Sequence, residues 1–97
     1  MSDERVIIKT GKRLDTQHTP AFEAELKRVL EEEKIYHFTV DMSETAYISS
    51  VALRAFLAAQ KKVMANGGEM LLTGVSPMVM EVFDVTGYSG ILTIEEA

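Results

Sequence analysis

The stretch Tyr47–Phe56, YISSVALRAF, sets two adjacent hydroxyls, Ser49 and Ser50, between an apolar pair and a helix-like run. A serine in this position can do two kinds of work. It can cap the helix, accepting a hydrogen bond from a backbone N–H that the first turn leaves free. It can also carry a phosphate there, because the free donors and the positive end of the helix dipole both favour an anion. Phosphorylation adds roughly −1.5 to −2 charges at neutral pH. A partner packed on that surface must then oppose or desolvate a dianion, while the domain itself barely changes. Either Ser50 or Ser49 fits the cap. The residue types leave cap alone and cap plus phosphate both open.

Other chemistry finds less support. Nucleophilic serine catalysis needs a base within hydrogen-bond reach. The two histidines, His18 and His37, are far from Ser50 in sequence and read as ordinary surface residues. There is no G-x-S-x-G elbow, no Walker loop and no H-E-x-x-H. Gly67-Gly68 follows a helical run, whereas phosphate loops precede one, so it reads as a helix stop. The chain has no cysteine, which removes disulfides, thiol nucleophiles and cysteine metal sites together. No catalytic residue, cofactor or metal is expected. The net charge of −5 argues against nucleic acid, whose affinity rests on clustered Lys and Arg. The start, MSDERVIIKT, carries acids where a signal peptide needs a basic region and an apolar run, and no segment reaches membrane-spanning length. A cytoplasmic protein without membrane insertion is expected.

The elements that must position the serines follow from periodicity. At 97 residues, one domain over 1–97 is expected. RVIIKT is a short strand ending at Gly11, and KRLD can hide a second. TPAFEAELKRVLEEEK reads as a helix, with Thr19 as N-cap and Pro20 at its first position. Its apolar stripe is Phe22, Leu26, Val29 and Leu30. In YHFTVDM, Tyr36, Phe38 and Val40 point one way along a strand, His37 and Thr39 the other. A helix from about Ser50 to Ala65 buries Leu53, Phe56, Leu57, Val63 and Met64, and Gly67 ends it in the left-handed region. EMLLTG reads as a buried, nearly continuous apolar strand. Ser76-Pro77 opens a third helix, lined inside by Val79, Val82 and Phe83 and ended by Gly87. Met78 and Met80 flank that inner face. ILTI is a last strand. Alternating strands and helices favour an α/β fold with a mixed or parallel sheet of four or five strands and about three to four helices mainly on one face.

These motifs stand in a familiar order. Val40–Ser43, Tyr47-Ile48, Ser49-Ser50, Gly67–Leu72, Val75–Pro77 and Thr86–Tyr88 follow one another, and GKRLDTQHTPAFEAEL precedes them. Nearly the whole chain resembles the STAS domain, and within it the bacterial anti-sigma factor antagonists. The resemblance implies a small α/β sandwich with a mixed sheet, and partner switching. The antagonist binds an anti-sigma factor that is also a serine kinase, is released on phosphorylation, and is restored by a PP2C-type phosphatase. It is a substrate in this cycle, not an enzyme. Carried over by position, the family's D-S-[ST]-G-L pattern falls on Ser49, Ser50, Val51, Ala52 and Leu53. Ser50 becomes the phosphoacceptor, with Ser49 the second choice. Asp15 matches an acidic residue of the first loop. The implied partner surface is Asp15, Thr16, Ser49, Ser50, Val51 and Arg54. Ala52 stands where the family has Gly, and a methyl group there bears on docking. It favours the other reading, a STAS module that is never phosphorylated, such as an accessory subunit of a transporter or a signalling scaffold.

Overall fold

The structure is a computed structural model that describes residues 6–95. Its elements alternate as the periodicity requires. Strand β1 (Val6–Lys9) leads to a two-residue strand β2 (Arg13–Leu14) and helix α1 (Thr19–Lys27), followed by a π-helical turn over Arg28–Glu32. Strands β3 (His37–Asp41) and β4 (Tyr47–Ile48) precede helix α2 (Ser50–Ala65). Strand β5 (Glu69–Thr73), helix α3 (Pro77–Thr86), a 3₁₀ turn at Tyr88–Gly90 and strand β6 (Thr93–Ile94) complete the order.

The main sheet runs β1-β3-β5-β6, and β2 pairs with β4 in a separate ribbon. The α/β class holds, and every pairing among the described residues is parallel, one of the two arrangements the alternation favours, where the family resemblance implied a mixed sheet. Parallel neighbours need crossovers, and α2 and α3 supply them for the later strands. Register shows why one face is covered. Phe38 and Met70 are neighbours in one row, Ile8, Val40 and Leu72 in the next, and all five are buried. The intervening row, Ile7, Thr39, Leu71 and Thr93, faces away and stays half-buried or exposed. β5 therefore alternates rather than being buried throughout: Met70 and Leu72 point inward, Glu69 outward.

Phe56 of α2 joins the helical layer. Its ring centroid lies 4.9 Å from that of Phe22 on α1 and 6.0 Å, edge to face, from that of Phe83 on α3. Pairs of this geometry add to the burial of the rings themselves. Beside it Leu53 and Val63 are buried as expected, Leu57 is half-buried, and Met64 is exposed, since the α2 stripe turns away from the core before Met64.

Several local expectations are corrected. Thr19 does not cap α1. It is the first helical residue, and its hydroxyl donates to the Asp15 carbonyl at 2.6 Å, which puts Pro20 second. The first helix does not stay α-helical to Lys34. The Glu33 N–H reaches back five residues to the Arg28 carbonyl, and Lys34 turns to φ 54°. Tyr36 lies just before β3, where its carbonyl accepts the Glu69 N–H. ILTI shrinks to Thr93–Ile94, because the 3₁₀ turn carries the chain up to Gly90. Val82 is half-buried and packs against the edge of the core.

The two adjacent glycines after α2 serve different needs. Gly67 is left-handed, φ 69°, with open space where a Cβ would be. At Gly68 a Cβ would stand on the Tyr36 carbonyl. Gly67→Ala is expected to cost about 1–2 kcal/mol through its backbone angle alone. Gly68→Ala should cost more, because β3 and β5 must separate at their first pair. Urea midpoints of the two variants check the ranking.

Candidate functional site

The head of α2 is built by its cap. Ser49 is extended, φ −95° and ψ 167°, and 8% exposed. Its hydroxyl accepts from the Ala52 N–H at 3.3 Å, and its carbonyl from the Leu53 N–H at 3.0 Å. Ser50 is the first helical residue and is exposed. The cap left open between the two serines is therefore Ser49. The hydroxyl that faces solvent is Ser50. Ala52 is fully buried, so its methyl group packs into the core instead of projecting at a partner.

The β2–β4 ribbon brings the first loop to this helix end. Arg13 pairs with Tyr47 and Leu14 with Ile48, and the Ser49 N–H donates to the Leu14 carbonyl at 2.9 Å. Asp15 and Ser49 thus leave the ribbon side by side. Leu14 and Ile48 are buried and hold the ribbon down, while Arg13 and Tyr47 face out. The Arg13 guanidinium lies 5.0 Å over the Tyr47 ring, a cation–π contact. Thr16 and Arg54 are exposed and Val51 is half-buried. Arg54 follows Ser50 by four residues and so shares its helix face.

Asp15 organises the loop. Its carboxylate accepts from the Gln17 N–H at 3.1 Å, the His18 N–H at 2.9 Å and Arg13 Nε at 3.2 Å. His18 Nδ1 lies 2.6 Å from Asp15 Oδ1. An ionised carboxylate only accepts, so Nδ1 carries the proton. The His18 side chain above all, then its backbone N–H and Arg13, hold the Asp15 carboxyl at about 2, well below its ordinary value, against a smaller upward push from desolvation. His18 is thus tied to the site, which its reading as an ordinary surface residue missed. The signal was the D-T-Q-H spacing, in which an Asp side chain folds back onto N–H groups two and three residues on. Arg13 and Tyr47 were also missed, for only the ribbon register brings them together. His37 opens β3, at the opposite end of the sheet from the ribbon.

Two measurements follow from this geometry. Ser49→Ala should lose about 0.5–2 kcal/mol with the cap. Ser50→Ala, an exposed change, should stay within about 0.5 kcal/mol. Urea titration separates them. Because the Asp15 pKa is depressed, its pairing stabilises fully above the ordinary value of 3.8 and is lost as pH falls through about 2. The penalty of Asp15→Asn should therefore be full at neutral pH and shrink only below about pH 4, as read from unfolding at each pH.

Among the described residues no group of three or more His, Cys, Asp or Glu could hold a metal ion, and no helix is long and apolar enough to cross a membrane. Comparison with known proteins gives the site a setting. The anti-sigma-B factor antagonist of Staphylococcus epidermidis is 26% identical over 94 residues, covering 97% of this chain and 86% of that protein. The solved anti-sigma factor antagonist SpoIIAA, unphosphorylated, superposes with a TM-score of 0.76 at 16% identity, over 100% of this chain and 84% of that one. The phosphorylated form of this Bacillus cell fate determinant gives 0.74 at 17% identity, over 98% and 86%. A sulfate transporter family protein from Wolinella succinogenes gives 0.70 at 23% identity, over 92% and 70%. The STAS domain family model matches residues 2–97. With strand order, caps and helix layer all accounted for, the chain belongs to the STAS domain family.

Proposed function

We propose that this chain is an anti-sigma factor antagonist, switched by phosphorylation of Ser50. The observation that carries the reading is the division of labour at the head of α2. The buried Ser49 caps the helix, and the exposed Ser50 stands at the first helical position, free of any capping duty. A phosphate on Ser50 would lie by the unpaired N–H groups and positive dipole end of α2, so the fold tolerates it. A protein packed on Thr16, Ser50, Val51 and Arg54 would meet the new charge directly. Asp15 and Ser49 enter as the residues that shape this surface. The name and coverage of the Staphylococcus epidermidis relative support the same role.

In this cycle the partner is an anti-sigma factor with serine kinase activity, and a PP2C-type phosphatase reverses the modification. The chain is the substrate of both and an enzyme in neither step. Binding of the unmodified form releases a sigma factor, so transcription follows the phosphorylation state. A second reading, a STAS module of a transporter or scaffold that is never phosphorylated, draws on the Wolinella succinogenes likeness.

Incubation with ATP and the candidate anti-sigma kinase, followed by intact-mass spectrometry and fragmentation, separates the two. One phosphate on Ser50, absent from Ser50→Ala, is the expected result. Ser50→Ala should bind the anti-sigma factor permanently and Ser50→Asp weakly. An unmodified chain, with the kinase active on another antagonist, would favour the transporter or scaffold reading.

A further inference from the structure

The charge around Ser50 differs from that of the chain as a whole. Acids outnumber bases 15 to 10, yet from Thr45 through Gly68 there is no Asp or Glu. Helix α2 carries Arg54, Lys61 and Lys62 and no acid. Ser50, Arg54 and Lys61 are exposed and lie four and seven residues apart, on one stripe of helix surface. At the head of the stripe Arg13 rests on the Tyr47 ring, which is 46% exposed. Asp15 is the acid that the ribbon brings nearest, and its oxygens are turned onto Arg13, His18 and two N–H groups of its own loop. It organises the cations more than it opposes them.

Building on the antagonist reading, we infer that the partner presents an acidic surface to this stripe, with Arg54 and Lys61 as charge contacts and the Arg13–Tyr47 pair at its head. Complementary charge of this kind sets encounter rate and register. Stacking on Tyr47 holds the guanidinium in place before the partner arrives, so less freedom is lost on binding. The same arrangement explains how a phosphate would work without moving the fold. A charge of roughly −1.5 to −2 on Ser50 falls one turn from Arg54 and cancels most of the positive charge at the head of the stripe. The modification and the recognition then act on the same charges.

The test is the affinity of the unphosphorylated chain for the candidate anti-sigma factor, by calorimetry at about 0.05 M and about 0.2 M salt. The affinity should weaken several-fold as salt rises. Arg13→Glu, Arg54→Glu and Lys61→Glu should each weaken it about tenfold or more. Lys9→Glu makes the same charge change on the uncovered sheet face and should leave it within about twofold. Circular dichroism of each variant checks that the fold is kept. Wild-type affinity in all three stripe variants would overturn the acidic-partner assignment and leave the antagonist reading standing. No complex with the wild-type chain would overturn the antagonist reading, and this inference with it.

Discussion

The hydrogen bond from the Ser49 N–H to the Leu14 carbonyl is the contact on which the site depends. It closes the short β2–β4 ribbon at the point where α2 begins. Without it the loop at Asp15 and the head of α2 belong to separate parts of the chain, more than thirty residues apart by their numbers. Two residues per strand are too few for backbone pairing to hold alone. The ribbon holds because Leu14 and Ile48 are buried beneath it, while Arg13 and Tyr47 stack above. Burial below and a cation–π contact above leave Ser50 in one defined setting.

That setting rests in turn on a one-sided sheet. Phe38, Val40, Met70 and Leu72 supply an apolar face, and Phe56 links the three helices that cover it. Loss of Phe56 would cost about 3–5 kcal/mol by the usual scale for a buried ring. A core of this kind is stiff and does not need to change when a surface hydroxyl changes. The site can therefore act by altering charge at a fixed surface. Ala52 shows the division well: it sits two residues from Ser50, yet its side chain belongs wholly to the core.

Much of the fold was legible because caps and periodicity are local. Ser76-Pro77, Gly87 and Gly67 mark helix ends through backbone angles and capping chemistry, and each does so here. Phe38 and Val40 alternate with His37 and Thr39 as a half-covered strand must. The misreadings have a common cause, in that tertiary contacts decide them. Thr19 has the residue type of a cap, but the Asp15 carbonyl lies within reach of its hydroxyl, and the helix starts one residue early. Arg28–Glu32 has the composition of an α-helix, yet it winds as a π-turn, with the Ile35 N–H returning to Val29. The Ser49-Ser50 pair stood out in sequence, but which of the two caps α2 did not. Arg13 and Tyr47 did not stand out, since a two-residue parallel ribbon leaves no periodic trace, whereas His18 left its signal in the D-T-Q-H spacing.

The most direct measurement is a backbone amide shift map of the chain before and after incubation with ATP and the candidate anti-sigma kinase. The account predicts changes confined to the head of α2 and the ribbon, from Arg13 to His18 and from Tyr47 to Arg54, with β3, β5 and the Phe56 cluster unmoved. Shifts spread through the core, or centred on another residue, would contradict it.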